Sequence, residues 1–302
     1  MWFKNLRVYQ LNTPLTLSID AMEQALAEFR FSPCTGQQAS SSGFTAPFES
    51  TQNFCYQNQQ FIFFALKRQE KILPAAVVQD EMQPRLDALE QEKGRSLSRK
   101  EKDSLKEDVT FELLPRAFSR SQTIFACFDE TNQRILINTS SSSKAEDMLA
   151  LLRKAFGSLP ALPWLDPYKL SAKLQLWLQN QALPNGFTLG AEVELKAPDE
   201  EGAKVRFSNH ILTTDDVQSH LEDKLVTRLE LEQDERLSWK VCDDGSIKGI
   251  QYHDSISGHN DELGWEDEEA RLAADTLLMC STLAESLDQL ADSVSASADL
   301  TP

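Results

Sequence analysis

The chain has few of the residues on which metal, redox or nucleophilic chemistry usually rests. Its 302 residues include five cysteines (Cys34, Cys55, Cys127, Cys242 and Cys280), none in a CxxC pair. An odd number of scattered thiols supports neither a zinc ribbon nor a secreted disulfide framework, and reads as reduced thiols in a cytoplasmic protein. There are four histidines and no HExxH. The segment HDSISGHND, with His253, Asp254, His259 and Asp261, has loose metal-ligand content, but its polar composition reads as a solvated loop. GxxxxGK[ST], GxGxxG after a strand and GxSxG are all missing, which argues against nucleotide-driven motors, dinucleotide-dependent enzymes and serine hydrolases. Asp243 and Asp244 have the composition of paired nuclease acids, yet DDG between two strand-like runs is first of all a turn, because Asp and Gly tolerate its backbone angles. The expectation is a protein without enzymatic activity, cofactor or metal.

Long apolar runs are also missing. No window reaches the roughly 18 apolar residues of a membrane span, and Lys4 and Arg7 interrupt what would be the core of a signal peptide, so a soluble, unexported protein is expected. Positive charge is scarce: 30 Lys and Arg stand against 47 Asp and Glu, a net of -17. A uniformly acidic surface repels nucleic acid, whose phosphates supply most non-specific affinity. The charge is uneven, however. Residues 1–165 hold 19 bases and 19 acids, whereas residues 166–302 hold 11 bases and 28 acids. Net charge does not report whether cations gather on one surface.

With 41% hydrophobic residues over this length, the chain can bury a real core and divide into two or three modules. Alternating patterns predict strands at 2–11, 60–68, 122–130 and 134–140, and helices at 20–30, capped by Asp20, and at 143–156, with Ser143 and Glu146 in capping-box register. Residues 32–53 read as a Ser-, Gly- and Gln-rich loop. A helical pair at 74–114, split near Gly94, interrupts the strands, with Val78, Met82, Leu86 and Leu89 on the inner face of its first member. The Pro-rich stretch 158–169 coincides with the charge step and marks a domain boundary. Beyond it, a helix at 167–181, strands at 187–197 and 203–208, a helix at 214–222, a hairpin about Asp244-Gly245 and a last helix from Trp265 to Leu290 are expected. The class is α+β, with mixed antiparallel sheets, flanking helices and a helical insertion. The modules are 1–73 with 115–165, the insertion 74–114, and the acidic 166–302.

Charge runs against this background between Lys93 and Arg120. Eight bases (Lys93, Arg95, Arg99, Lys100, Lys102, Lys106, Arg116, Arg120) face five acids, a local net of +3. Ser98 and Glu101 have capping-box spacing, Leu105, Val109 and Leu113 recur at helical intervals, and Pro115 ends the helix. Arg99, Lys102 and Lys106 then fall within about 60° of one another beside the apolar seam. Two readings stand: a solvated face paired to Asp103 and Glu107, or a phosphate-contacting face. Phe118, between Arg116 and Arg120, reads as core or as a self-association contact.

EKDSLK at 101–106 and LLPRAFSRSQT at 113–123 resemble the bacterial recombination-associated RdgC family. WFKNL at 2–6, EKILP at 70–74, KAEDMLALLRKAFGSLP at 144–160 and CDDGSIK at 242–248 extend the resemblance over nearly the whole chain. The resemblance implies a ring-shaped homodimer that encircles double-stranded DNA without sequence preference and restrains strand exchange by the RecA recombinase, associated with the nucleoid. The matched blocks nominate Lys102, Lys106, Arg116, Arg120, Lys144, Arg153 and Lys154 for DNA binding, with Arg99 joining by helical position and Phe118 nominated for the dimer interface. The helical insertion is assigned one of the two self-complementary contacts a twofold ring needs. A second reading from another class is an acidic regulator whose C-terminal half binds a basic protein, such as the recombinase itself.

Overall fold

The computed structural model describes residues 1–49, 51–199, 201–258 and 268–296. Twelve strands join into one sheet: β1 (Asn5–Leu11), β2 (Ser40–Thr45), β3 (Tyr56–Asn58), β4 (Phe61–Ile72), β5 (Phe118–Asp129), β6 (Arg134–Ile137), β7 (Ala161–Pro163), β8 (Phe187–Lys196), β9 (Lys204–Phe207), β10 (Leu225–Gln233), β11 (Leu237–Cys242) and β12 (Ile247–Tyr252). The order is β2-β4-β5-β6-β1-β12-β11-β10-β8-β9, with β3 on β4 and β7 on β1, and every strand pair is antiparallel. Eight α-helices accompany it among the described residues: α1 (Ile19–Glu28), α2 (Ala75–Lys93), α3 (Arg99–Leu113), α4 (Ser142–Phe156), α5 (Pro167–Asn180), α6 (Asp215–Ser219), α7 (Asp254–Ser257) and α8 (Glu268–Ser295).

β1 joins the two halves of the sheet. One edge pairs with β6; the other pairs with β12 at Asn5 and Leu6 and with β7 from Tyr9 to Leu11. The period-two alternation of strand side chains sorts the core by face. Tyr9, Leu11, Ile62, Phe64, Leu66 and Ile124 pack beneath α1 and α4. Leu6, Val8, Phe61, Phe63, Cys127 and Leu136 turn to the opposite face, where they share a core with Leu170, Leu174 and Trp177 of α5 and Met279, Cys280, Leu283 and Leu287 of α8. β4 is therefore buried on both faces through its first six residues.

The last helix, α8, belongs to the acidic part of the sequence but packs against residues of the N-terminal part. Cys280 Sγ lies 3.7 Å from Cys127 Sγ on β5, the Phe3 amide donates to Met279 Sδ at 3.1 Å, and Arg134 is ion-paired to Asp288. A single apolar core thus runs from the first sheet half through α8 into the second.

α2 and α3 form an antiparallel pair at the far end of the β4-β5 hairpin, closed by a small core of Val78, Met82 and Val109 with Leu73, Leu105 and Leu113. Gly94 ends α2 at φ 64°, a left-handed angle that glycine adopts without Cβ strain. Ser98 and Glu101 make the expected capping box at the start of α3. Other local expectations need correction. Ser18 rather than Asp20 caps α1, and Ser141 rather than Ser143 caps α4, two residues ahead of the capping-box register. The loop expected over 32–53 contains β2, whose polar Ser40–Ser42 conceal a strand held by the β4 ladder. β10 is a central strand beyond those expected, although Arg228, Leu229, Glu230, Leu231 and Glu232 alternate as a half-buried strand does; a β-bulge disturbs its register with β8. The expected start of the last helix at Trp265 lies outside the described residues.

Candidate nucleic-acid interface

The nominated cations are spread over four elements. Arg99, Lys102 and Lys106 lie on α3, Arg116 in the 3-10 turn after it, and Arg120 on β5. Lys144 opens α4, whereas Arg153 and Lys154 close it, some 15 Å further along a helix rising about 1.5 Å per residue. Arg153 donates to the Leu159 carbonyl at 3.3 Å and lies 3.9 Å from Glu146. Arg99, Lys106, Arg116, Arg120 and Lys154 are exposed and form no ion pair with the described residues.

The solvated-face reading of α3 named the wrong acids. Asp103 and Glu107 pair with none of the described cations; the binding acid is Glu101, which takes Lys93 at 2.7 Å and Arg95 at 3.0 Å, while Lys102 reaches Glu90 across the helical pair at 3.6 Å. Hydrogen bonds from Arg95, Lys93 and Ser98 hold the Glu101 carboxyl far below the usual carboxylate range.

Two nominated residues do meet. Arg120 and Lys144 line a groove of about 350 Å³ with Arg68, Glu70, Gln122, Ser141 and Ser143. The β4-β5 register brings this about: Arg68 stands opposite Gln122 and Glu70 opposite Arg120, on the face that α4 covers. Lys144 Nζ donates to Gln122 Oε1 at 2.7 Å. Arg68 is tied to Asp147 at 2.5 Å and Glu70 at 2.6 Å, so Arg120 and Lys144 carry the groove's free positive charge. The first turn of α4, whose Lys144 amide donates to Ser141 Oγ, adds partial positive charge at the same place.

A second cationic surface was missed from the sequence. In the C-terminal half, α5 and α8 cover the face formed by Val193, Leu195, Leu229, Leu231 and Trp239. No described helix packs on the other face. There, β8 to β12 align Lys196, Lys204, Arg206, Arg228, Lys240 and Lys248 with Glu192, Glu194, Glu230 and Glu232, a net of +2 in a half whose total is -17. Lys248 also pairs in register with Asn5 of β1, so this open face continues onto the side of the sheet that carries the α4 groove. The sequence signal was the alternation of charged and apolar residues in β8 and β11, legible only once β10 is recognised between them.

Six acids (Glu268, Glu269, Asp275, Glu285, Asp288, Asp292) and one base, Arg271, lie along α8 on the covered side. With Lys169 and Lys173 of α5, the two helices still hold six acids against three bases.

Phe118, for which the sequence allows core packing or self-association, is 85% exposed. Its cross-strand partner Ile72 and, on the helical pair, Val77 and Phe111 are exposed as well, concentrating apolar surface around the insertion. Asp243 and Asp244 occupy the β11-β12 turn as expected, with Gly245 at φ 75°. Asp244 accepts from Ser246 Oγ at 2.5 Å and Arg7 Nη2 at 2.6 Å. His259 and Asp261 lie outside the described residues; among these residues no three His, Cys, Asp or Glu cluster as metal ligands, and no helix is long and apolar enough to cross a membrane.

A family model described as "RdgC: Putative exonuclease, RdgC" matches residues 1–296. Proteins named recombination-associated protein RdgC are similar along their whole length. That of Proteus mirabilis is 38% identical over 292 residues, covering 96% of this chain and 97% of the relative. That of Yersinia enterocolitica is 39% identical over 297 residues, covering 97% and 98%. That of Pseudoalteromonas translucida is 38% identical over 292 residues, covering 96% of each.

Proposed function

The chain belongs to the RdgC family, and from that premise we propose that it is a recombination-associated protein that binds double-stranded DNA without sequence preference. The observation that carries this reading is the cationic open face of the acidic half, continuous through β1 with the side bearing Arg120 and Lys144. Lys and Arg on a sheet face meet phosphates, which fix position without reporting base identity. Affinity should therefore be broad in sequence and steep in salt.

The proposed assembly is a homodimeric ring around the duplex, with the apolar surface about Phe118 as one self-complementary contact. Occupied duplex would be withheld from RecA-mediated strand exchange in the nucleoid. The protein acts in this reading by binding alone, as a non-enzyme without cofactor, and the Asp243-Asp244 pair serves as a turn.

The test is fluorescence anisotropy with two duplexes of unrelated sequence across a salt series, with light scattering on the same sample. Equal affinities, a linear fall of log K with log salt and the mass of a dimer are expected. Absence of binding even at low salt would overturn the reading. The acids along α8 would then favour the other proposal, an acidic regulator docking a basic protein such as the recombinase.

A further inference from the structure

On the open face of the C-terminal sheet half, two carboxylates hold four cations. Glu192 lies 2.8 Å from Lys240 through one oxygen and, through the other, 2.8 Å from Arg206 and 3.8 Å from Arg228. Glu194 lies 3.4 Å from Lys204 and 3.5 Å from Arg228. After pairing, the cluster keeps a charge of +2. The layering is specific: the Arg206 and Lys204 side chains are more than half exposed, whereas Glu192 and Glu194 expose only 10% and 16% of theirs. A ligand approaching the sheet therefore meets guanidinium and ammonium groups, with the acids beneath them. The Arg228 Nε is buried without a hydrogen-bond acceptor among the described residues.

An oxygen anion clasped by Lys and Arg on a surface that no described helix covers reproduces the local geometry of a backbone phosphate in a cationic groove. We infer that Glu192 and Glu194 are internal surrogates for DNA phosphates: they occupy the cations of this face in the free protein and compete with a docked duplex for them. The inference rests on the DNA-binding reading and adds a regulatory property to it. The carboxylates weaken binding, keeping contact with the duplex reversible on a protein that must leave any sequence it meets. Burial alone would push the Glu192 carboxyl up, but the hydrogen bond from Lys240 and the adjoining Arg206 guanidinium outweigh it and hold the group below the usual carboxylate range, so the surrogate is charged at neutral pH.

The test uses the full-length protein, a fluorescein-labelled duplex of arbitrary sequence and the double variant Glu192→Gln with Glu194→Gln, which preserves shape while removing charge. Tighter binding by about tenfold, with a log K against log salt slope steeper by about one to two, is expected. If the wild type binds and the variant binds equally or more weakly with an unchanged slope, the surrogate inference fails while the DNA reading survives. If neither binds at low salt, both fail. Lysine acetylation of the wild-type protein, read by mass spectrometry with and without duplex, tests the required docking on this face independently of whether the variant folds. Protection of Lys204 and Lys240 is expected where the duplex displaces the carboxylates, and unchanged labelling under saturating duplex overturns the inference whatever the variant does.

Discussion

Phe118 stands directly opposite Ile72 across the β4-β5 ladder, and both are exposed, at 85% and 49%. A cross-strand apolar pair left in water costs free energy that a second surface can recover. Because Phe118 shares its strand face with Arg120 and Gln122, self-association at this point would set the α4 groove close to the contact. Burying one Phe contributes about 2 kcal/mol, and a twofold contact uses it twice, so Phe118→Asp should weaken dimerisation roughly a thousandfold. Sedimentation velocity across a dilution series would show a monomer for the variant. An unchanged dimer would remove Phe118 from the interface. The melting temperature of the monomer fold should barely move, since an exposed side chain contributes little to it.

Arg120 and Lys144 are the nominated cations that share a groove, and their contribution to DNA binding is separable from the fold. Arg120 is exposed and unpaired among the described residues, and Lys144 contacts only the neutral Gln122 through its ammonium. Lys144→Gln and Arg120→Gln should each reduce the magnitude of the salt slope by about 1 and lower affinity equally for unrelated duplexes. Arg68→Gln should act differently. Arg68 is tied to Glu70 and Asp147, so its loss leaves two acids unpaired and lowers stability together with binding. Anisotropy and urea unfolding on the three variants would distinguish these patterns.

Much of the local structure was legible because its causes are local. Ser98 and Glu101 close a hydrogen-bonded box three residues apart, and Gly94 and Gly245 mark positive-φ ends that few other residues tolerate. What escaped depends on partners distant in sequence. Arg68 joins Arg120 and Lys144 only through the β4-β5 register, and the charges that alternate with Leu229 and Leu231 in β10 meet those of β8 and β11 only through the ladders between these strands. The exposure of Phe118 was equally hidden, since an aromatic residue in a strand has the same composition whether buried or presented. Net charge misled most: the -17 of residues 166–302 conceals a face that is net positive.

The thiols and one phenol predict an alkaline loss of stability. Burial, with the nearby Glu23 carboxylate, pushes Cys55 up to about 12. Burial and Glu146 push Tyr9 up to about 12. In the unfolded chain these groups ionise near 8.5 and 10 on ordinary values. Between those values and about 12 the unfolded state has released protons that the folded state retains, so stability is at full strength below about pH 8.5 and falls as pH rises toward 12. Urea midpoints should decrease from pH 8 to pH 10.5, and Cys55→Ser should flatten the first part of that fall. In the native protein Cys34, the half-buried cysteine, should react with a thiol reagent at pH 8, while Cys55, Cys127, Cys242 and Cys280 wait for unfolding.

Leu283 offers the decisive test of whether the two sheet halves melt separately. It is fully buried on α8, in the core that takes Val8, Phe63 and Cys127 from one half and Leu229, Trp239 and Val241 from the other. Truncation to alanine removes contacts on both sides of the charge step at once. The expected cost is about 2–5 kcal/mol, distributed over a common structure rather than confined to residues 166–302. Calorimetry should accordingly show one transition for the wild type and one, at lower temperature, for Leu283→Ala. Were the halves independent, the variant would split into two transitions, with the β4-β5 half melting at its wild-type temperature. The antiparallel ladder through β1 and the Cys127–Cys280 contact at 3.7 Å both argue for the single transition, because neither half can open without exposing apolar surface of the other.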